Sequence, residues 1–356
     1  DGTVGERNAV RCGAIEHKMG IHGSATCVMN FDGAEGYLVG QPHKGLQAMF
    51  VMMNSARLGV GVQGLGLSER AYQNALRYAR ERLQSRSLSG PKHPDKPADP
   101  LLVHPDVRRM LLTQKALIEG GRLLSMQAYA LLDEAEKAAD PAARERAETL
   151  VSFLTPISKA CLTEWSIENT YNALQCFGGH GYIHEHGMEQ YARDARITTL
   201  YEGTTGIQSL DLIGRKTAAT QGAGLKLFIA EVEAFAKQHE GDAALAEFIA
   251  PLRAKCGEWG KLTIETLTRA ASNPEELGAA STDYLFYSGY VVLAYWWARS
   301  VAAANASDRP QAFKDAKRDT ARFYFARVLP RTLAHKAAIE AGAGTLMAMP
   351  DEGFGA

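Results

Sequence analysis

The feature that most constrains the fold is a change in hydrophobic period near residue 46. From there to about residue 83, apolar side chains recur at steps of three and four residues, at Leu58, Val62, Leu65, Tyr72, Leu76, Ala79 and Leu83. This spacing collects them on one stripe of an α-helix. A stripe of this length has to be buried against other helices, so the chain is predicted to be mainly α.

Prolines and glycines divide the rest of this region. Five prolines between positions 91 and 105 forbid regular structure and predict a long exposed loop. A second long helix is predicted from about Pro105 to Ala138. Thr155-Pro156 has the pattern of an N-cap followed by proline at the first helical position. The helix predicted to start there should end at Gly178-Gly179, where the chain can turn through positive φ.

The segment before residue 46 has a different character. Val10–Leu38 is rich in glycine and in β-branched or small residues, and Asn30–Gly33 and Gly40–Pro42 are turn signals. This pattern predicts a few short strands. Because such a segment cannot bury a face alone, we expect it to belong to a larger sheet that lies mostly outside this sequence.

A glycine-containing break at Gln221–Gly224 opens the last part of the chain. Residues 225–341 have a helical pattern, with breaks near Asn273-Pro274 and Asp308–Pro310. We therefore predict three regions: residues 1–45, residues 46–220 and an appended helical domain, 221–356.

Composition excludes several classes of protein. A formal net charge of -1 argues against a protein whose main task is to bind nucleic-acid phosphates. Five scattered cysteines contain no Cys-x-x-Cys pair, which favours neither a disulfide framework nor a zinc site and indicates a reducing compartment. The apolar stretch Tyr284–Ala298 is shorter than the roughly 20 residues that cross a bilayer. Its many aromatic side chains favour a core or interface helix over a ligand or membrane surface.

One acidic residue is a candidate for catalysis. Glu202 lies between Tyr201 and Gly203 in the segment Asp194–Gln208. A carboxylate that lines an apolar pocket loses hydration and becomes a stronger proton acceptor near neutral pH. Gly203 removes side-chain bulk, so a substrate could approach the backbone closely. Taken alone, however, a Glu-Gly pair is more often a solvated loop acid.

The wider sequence context changes this interpretation. Tyr201–Thr204 resembles the Tyr-Glu-Gly-Thr signature of the acyl-CoA dehydrogenases, and Gln175–Tyr182 resembles the Gln-x-x-Gly-Gly-x-Gly segment of that family. Tyr78–Gln84 is similar to the end of the family's long helix, and Gly20–Phe31 to the last strands of its middle β-domain. The segment Glu16–Ser24 and the appended helices resemble a long bacterial subgroup that includes 3-methylmercaptopropionyl-CoA dehydrogenases.

The resemblance implies a fold and a reaction. The fold would be a remnant of the middle β-domain, a C-terminal helical bundle and an appended α-helical domain. Glu202 would remove the α-proton of an acyl-CoA, and FAD would accept the β-hydrogen as hydride, which leaves a trans-2-enoyl-CoA. Some members carry the base on the long helix just before an arginine, here Arg57. That position is Ala56, which cannot accept a proton, so the resemblance assigns the base to Glu202.

The resemblance also assigns binding residues. Arg57, Tyr201 and Gly203 would contact the substrate. Arg82 and Gln84 would reach FAD across a subunit interface, where a guanidinium can pair with phosphate. The remaining FAD contacts would come from the glycine segment, whose backbone amides can approach phosphate, and from the turn after the base: Gln175, Gly178, Gly179, Thr204 and Gln208.

Partners and alternatives follow from the same resemblance. We expect a homodimer, an electron-transfer flavoprotein as electron acceptor, no transmembrane span and no nucleic-acid partner. The compartment would be the cytoplasm in a bacterium or the mitochondrial matrix in a eukaryote. Two alternatives stay open: an acyl-CoA oxidase that passes electrons to oxygen, and a nucleic-acid-associated homologue of the same fold.

Two polar groups near these motifs have competing interpretations. His180, His184 and His186 with nearby acids could be a metal cluster, but their place in a glycine-rich segment argues for a flavin site without metal. Arg193, Asp194 and Arg196 could bind phosphate. An Arg-Asp network that fixes the loop before Glu202 is the favoured interpretation.

Overall fold

The computed structural model describes residues 2–355, and the chain in this range is mainly α-helical, as predicted. Two strands, β1 (Val10–Ile15) and β2 (Cys27–Phe31), form an antiparallel hairpin with a bulge between Cys12 and Ala14. Both strands of the hairpin are mostly exposed. The hairpin confirms the predicted strands, and a two-stranded sheet of this kind has little stability by itself.

Three long helices form a bundle: α1 (Gly45–Glu81), α2 (Pro105–Lys137) and α3 (Pro141–Cys176). Helices α1 and α3 run parallel, because Gly61 lies beside Ser158 and Gly64 beside Leu162. A Cβ at Gly64 would lie 2.9 Å from the Leu162 carbonyl oxygen. Glycine therefore lets the two helix backbones approach closely along the centre of the bundle.

The start of α3 corrects one prediction. Thr155-Pro156 is not a helix start; both residues lie buried inside α3, and the Thr155 hydroxyl donates to the Val151 carbonyl oxygen at 2.6 Å. The real start has the same chemistry 15 residues earlier, where the Asp140 carboxylate accepts from the Ala142 N–H at 3.0 Å and Pro141 follows. The Thr-Pro pattern depends only on adjacent residues. It was misleading here because packing between neighbouring helices stabilises Pro156 inside the longer helix.

The predicted end of α3 is confirmed. The helix stops at Cys176, and Gly178 has φ of 57° at the start of a short 3₁₀ segment, Gly178–Tyr182. A second 3₁₀ turn, His184–His186, leads into α4 (Met188–Thr198). The turn that carries Glu202 then connects α4 to α5 (Thr205–Leu210) and to a π-helical stretch, Asp211–Ala218.

The remaining helices follow the predicted break at Gln221–Gly224, where Gly222 has φ of 73°. They are α6 (Ala223–Gln238), α7 (Ala243–Ser272), α8 (Glu275–Ala306), α9 (Gln311–Phe323), α10 (Thr332–Ala341) and the short α11 (Gly344–Met347). The predicted breaks near Asn273-Pro274 and Asp308–Pro310 are confirmed. A further break, between α6 and α7, was not predicted; Asp242 caps α7 there by accepting from the Ala244 N–H.

Helix α8 forms the centre of the fold. Its aromatic side chains are buried on several faces, and Tyr284 and Trp297 are fully buried. The Trp297 indole N–H donates to the Ala116 carbonyl oxygen of α2 at 3.1 Å. One continuous apolar cluster includes residues from α1–α3 and from α6–α10. The predicted core role of the aromatic stretch is therefore confirmed, and the appended helices pack on the bundle of the same chain.

The loop that joins α1 to α2 is less exposed than predicted. It lacks regular structure over most of its length, but Asp99 and Pro100 are buried and Leu83 forms a β-bridge with Pro100. The Asp99 carboxylate accepts backbone N–H bonds from Ser87, Lys92 and His93. Hydrogen bonds to this buried carboxylate thus hold the loop in place where regular secondary structure is missing.

Among the described residues, no helix is long and apolar enough to cross a membrane. The division of the chain at residues 45 and 220 stays a prediction.

Candidate active site

Glu202 lies on a tight turn between α4 and α5. Its backbone has φ of 57°, and the next residue, Gly203, has φ of 93°. A non-glycine residue in this left-handed region costs on the order of 1–3 kcal/mol and persists only where the surroundings hold it. The φ of Gly203 favours glycine at this position, and a Cβ there would also lie 2.6 Å from the Gln208 amide nitrogen. The turn therefore places Glu202 in a strained and closely packed backbone.

The carboxylate of Glu202 is not used by the fold. Its Oε2 atom is buried and has no hydrogen-bond partner within the described chain. A buried carboxylate oxygen without a donor costs free energy, because it has lost water without a replacement. An unpaired oxygen of this kind, on a turn that is itself strained, is typical of a group held ready for a reactant.

Several groups fix the turn around this carboxylate. The Gln208 amide donates to the Glu202 carbonyl oxygen at 3.3 Å, and the Thr205 N–H donates to the Thr199 carbonyl oxygen at 3.2 Å. The Tyr201 hydroxyl donates to the Gln63 side-chain oxygen on α1. Burial raises the pKa of the Tyr201 hydroxyl.

Helix α3 supplies a buried lysine to the same turn. Lys159 is fully buried, and its Nζ atom donates to the carbonyl oxygens of Thr198 at 2.8 Å and Gly203 at 2.7 Å. Burial lowers the pKa of Lys159 to about 8, although Glu164 and Glu202 act in the opposite direction. The sequence did not single out Lys159, because a lysine on a helix is usually exposed.

Arg57 lies on the other side of the turn, on α1. Its Nη1 atom pairs with Asp211 Oδ2 at 3.3 Å, and both side chains are buried. Asp211 also accepts from Arg215 at 2.6 Å. A Cβ at Gly203 would lie 3.8 Å from Arg57 Nη2, so the guanidinium borders the turn. The structure brings Arg57, Tyr201, Glu202 and Gly203 together, and their contact with a substrate stays a prediction.

A second group of the predicted residues surrounds a cavity at one end of the bundle. The cavity has a volume of about 500 Å³ and is bordered by the end of α1, the start of α2 and the end of α3. Tyr78 and Phe177 stack in its wall with ring centroids 4.1 Å apart. All five residues assigned to the adenosine-diphosphate half of FAD and its neighbourhood line it: Arg82, Gln84, Gln175, Gly178 and Gly179.

The chemistry of this cavity suits a phosphate-containing ligand. A Cβ on Gly178 or Gly179 would meet no atom within 4 Å, which leaves room beside this backbone. Arg82 makes no ion pair with another described residue, so its guanidinium is available to an anion. Glycine backbone and a free guanidinium are the groups that bind diphosphates in proteins.

The other two predicted FAD residues, Thr204 and Gln208, lie beside Glu202 and do not line the cavity. Gln63 of α1 contacts the turn and Tyr78 of α1 lines the cavity. The 15 residue steps from Gln63 to Tyr78 span about 22 Å at the rise of an α-helix. The predicted flavin residues of one chain therefore form two separate groups.

The histidines of the glycine segment have contacts within the protein. His180 Nδ1 shares a hydrogen bond of 2.9 Å with the Tyr78 hydroxyl, and the His180 and His186 rings stack at 4.8 Å. His184 bonds Glu189 at 2.6 Å. The described residues contain no group of three or more His, Cys, Asp or Glu side chains arranged to hold a metal ion.

Arg193 and Asp194 join the hairpin segment to α4. The Asp194 carboxylate accepts from the Ile21 N–H at 2.5 Å, and Arg193 donates to the Met19 carbonyl oxygen at 2.8 Å. The hydroxyl of Thr199 accepts from Arg196 in the turn before the base. Arg193 forms its ion pair with Glu189 rather than with Asp194. The three residues thus make structural contacts with the hairpin segment and the turn, but the predicted Arg-Asp network is not formed by these described residues.

The helical bundle, with Glu202 on a strained turn and a glycine-bordered cavity at one end, matches a known class of protein. The chain belongs to the acyl-CoA dehydrogenase family. Residues 43–217 match the family model "Acyl-CoA dehydrogenase, C-terminal domain", and residues 228–350 match "Acetyl-CoA dehydrogenase C-terminal like".

Two relatives illustrate the match. A 3-methylmercaptopropionyl-CoA dehydrogenase of Ruegeria pomeroyi is 40% identical over 86% of this chain and 51% of its own length. A butyryl-CoA dehydrogenase of Syntrophomonas wolfei is 33% identical over 99% of this chain and 60% of its own length. The chain thus spans between about half and three fifths of these relatives.

The fold match extends to a solved structure. An acyl-CoA dehydrogenase from Bacillus anthracis, complexed with FAD, superposes with a TM-score of 0.77 at 18% identity, over 93% of this chain and 56% of that chain. This similarity covers both the bundle and the appended helices, and it confirms the predicted fold.

Proposed function

We propose that the intact protein catalyses the FAD-dependent α,β-dehydrogenation of an acyl-CoA thioester to a trans-2-enoyl-CoA, with Glu202 as the base. The observation that carries this proposal is the buried Oε2 atom of Glu202, which has no hydrogen-bond partner and lies on a turn held in a strained conformation. An acid used for stability would be paired. An acid that must accept a carbon-bound proton keeps an oxygen free.

The residues of the turn have defined tasks in this reaction. The Glu202 carboxylate takes the α-proton, and the electron pair of that C–H bond becomes part of the new double bond. Gly203, with φ of 93°, carries no side chain and so leaves the backbone after Glu202 accessible to the thioester. A backbone N–H near the thioester oxygen would stabilise the negative charge that develops when the α-proton leaves.

FAD, when bound, supplies the acceptor for the β-hydrogen, which leaves as hydride. The residues that would hold it fall into the two groups described above. Arg82, Gln175 and the backbone at Gly178 and Gly179 suit its diphosphate. Thr204 and Gln208 lie beside the base and would close the site around the reacting end.

The separation of these two groups supports a homodimer. Because about 22 Å of α1 separates Gln63 from Tyr78, one cofactor meets both groups more readily if each comes from a different subunit. We therefore propose that each FAD lies across a dimer interface, with its diphosphate against Arg82 of one subunit. The relatives named above act on acyl-CoA thioesters, which supports the same substrate class here.

The electron acceptor is proposed to be an electron-transfer flavoprotein. Stopped-flow reoxidation of the substrate-reduced enzyme by air tests this assignment. Slow reoxidation in air together with fast reoxidation by an electron-transfer flavoprotein supports a dehydrogenase. Fast reoxidation by oxygen would instead assign an acyl-CoA oxidase.

Glu202→Gln tests the base directly. The amide keeps the size of the side chain but cannot accept the proton, so the rate of flavin bleaching by acyl-CoA should fall by several orders of magnitude while FAD stays bound. Glu185→Gln is a matched control, because Glu185 is an exposed acid on the 3₁₀ turn His184–His186. Bleaching by Glu202→Gln at the wild-type rate would exclude Glu202 as the base.

A screen of acyl-CoAs of increasing chain length on the intact protein identifies the substrate. Flavin bleaching is the readout, and the tightest apparent binding combined with the fastest bleaching marks the preferred chain.

A further inference from the structure

The turn that carries Glu202 is closed at both ends by one side chain of another helix. Lys159 of α3 donates from a single Nζ atom to the carbonyl oxygen of Thr198, the last residue of α4, and to that of Gly203, which follows Glu202. The residues between these two carbonyls, 199–202, therefore form a loop whose ends are fixed to the same ammonium group.

Lys159 differs from most lysines on helices because it is buried. Lys159 has no exposed surface, although lysine is almost never fully buried unless it is paired. Its two hydrogen bonds go to backbone carbonyls rather than to a carboxylate. The charge is thus placed where it holds backbone atoms, and the cost of its burial has to be offset by those bonds.

The loop needs such a restraint. Glu202 and Gly203 are consecutive residues with positive φ, and the conformation of Glu202 is costly for a residue with a Cβ. The Gln208 bond to the Glu202 carbonyl oxygen is long, at 3.3 Å, whereas the bond from Lys159 to the adjacent Gly203 carbonyl oxygen is 2.7 Å. The ammonium is therefore the strongest anchor of the peptide groups around the base.

The same ammonium also contributes to the field at the carboxylate. The charged groups that act on Lys159 come from three elements: Glu164 on its own helix, Arg57 on α1 and Glu202 on the turn. No hydrogen bond joins Lys159 to the Glu202 carboxylate, so any influence on that group acts through the backbone and through space.

We propose that Lys159 is a positioning residue that fixes the direction of the Glu202 carboxylate by holding the Thr198 and Gly203 carbonyl oxygens. The proposal rests on the proposed function for its kinetic consequence, but not for its structural one. A misplacement of a reacting group by about 1 Å can cost about 100-fold in rate. Loss of the bridge should therefore slow proton removal without removing any group that touches the substrate.

Lys159→Met is the test variant, because methionine fills much of the same space and donates no hydrogen bond. On the intact FAD-containing protein, the limiting rate of flavin bleaching should fall by about 10- to 100-fold, while the apparent dissociation constant of the acyl-CoA changes less than about threefold. Lys317→Met is the control, because this lysine pairs with Glu119 between α9 and α2 and makes no contact with the turn.

Hydrogen–deuterium exchange provides a readout that needs no turnover. Amides of residues 199–205 should exchange at least about tenfold faster in Lys159→Met than in the wild type, and the rest of α3 and α4 should be unchanged. If none of the acyl-CoAs reduces the flavin of the wild type, the proposed function fails. The exchange comparison still decides whether Lys159 holds the turn.

The outcomes separate positioning from simple stabilisation. Slower bleaching with local loss of protection supports the proposal. Unchanged bleaching, or faster exchange throughout the bundle with bleaching unchanged per folded molecule, overturns it. If Lys159→Met does not fold, Lys159→Gln, whose side chain is one bond shorter and cannot place its amide nitrogen at the position of Nζ, is measured in the same two ways, and wild-type behaviour of that variant overturns the proposal.

Discussion

Arg331 and Glu168 join the appended helices to the bundle through a two-pronged ion pair. Arg331 Nη1 and Nη2 donate to the two carboxylate oxygens of Glu168, both at 2.7 Å. Glu168 lies on α3, and Arg331 follows α9. The same guanidinium reaches the Tyr290 hydroxyl of α8 at 3.3 Å. This geometry fixes three elements relative to one another, because a forked pair defines direction as well as distance.

The pair leads to a prediction on stability. A double-mutant cycle of Glu168→Gln and Arg331→Gln should give a coupling free energy of about 1 kcal/mol, at the upper end for partly exposed pairs. The Arg253–Glu233 pair is the control, because both of its side chains are more exposed. Its coupling should be smaller, and urea unfolding of all variants measures both values. Because the Arg253–Glu233 pair is also two-pronged, equal coupling in the two cycles would show that the lower exposure of the Arg331–Glu168 pair adds nothing to its strength.

Arg82→Ala should weaken FAD retention more than substrate binding. Arg82 lines the cavity at the end of the bundle and makes no ion pair with another described residue, so its guanidinium is free to pair with phosphate. The ratio of flavin to protein absorbance after extensive dialysis measures retention. Arg80→Ala, two residues earlier on the exposed side of α1, should keep full occupancy. Full occupancy in Arg82→Ala as well would remove Arg82 from the site.

Asp99 should control the shape of the same cavity indirectly, through the backbone of the loop between α1 and α2. Two backbone hydrogen bonds position Arg82 and Gln84. The Gln84 N–H donates to the Asp99 carbonyl oxygen, and the Leu101 N–H donates to the Arg82 carbonyl oxygen, both at 2.9 Å. Asp99→Asn should therefore lower both thermal stability and FAD retention. Asp95→Asn, on the exposed part of the loop, should change neither.

The contribution of Asp99 to the stability of the fold should change with pH in a defined direction. Burial alone would raise the pKa of its carboxyl, but the N–H groups of Ser87, His93 and Lys92 and the Arg86 guanidinium lower it to about 2. Because an unfolded aspartate titrates near pH 3.9, this group stabilises the fold above about pH 4, and the contribution is lost as the pH falls toward 2. The gap in melting temperature between the wild type and Asp99→Asn should therefore be constant from pH 5 to 7 and narrow below about pH 4. A gap that stays constant down to pH 3 would contradict this assignment.

These findings show which parts of the molecule the sequence can predict. The helices, the glycine-terminated end of α3 and the location of the candidate site were predictable, because period, positive-φ glycines and motif residues act locally. Thr155-Pro156 was misread because a cap signature is also tolerated inside a helix that tertiary packing holds. No local pattern distinguishes the observed N-cap, Asp140, from Thr155, because both are followed by proline.

Two residues of the site and its support escaped sequence analysis for a different reason. Lys159 and Asp99 belong to charged residue types that are usually exposed. Their importance comes from partners about 40 residues away for Lys159, and from backbone N–H groups of a loop for Asp99. Neither partner set is encoded in the identity of the neighbouring residues, so only the fold reveals them.

The appended helices lead to the last prediction, on assembly. The apolar cluster around α8 contains side chains of the bundle and of the appended helices, and Phe153 of α3 lies so close to α6 that a Cβ at Gly224 would be 2.5 Å from it. The appended helices thus cover a face of the bundle that would otherwise be apolar and exposed. We predict that this cover prevents the bundle face from packing against a second dimer, so that the intact protein is a homodimer. Light scattering coupled to size exclusion should give the mass of two subunits over a tenfold range of concentration, and a stable tetramer would contradict the prediction. Removal of the residues after Gln221 should uncover the apolar face and cause aggregation, whereas removal of only the residues after Ala343, which lack buried side chains in α11, should leave the dimer intact.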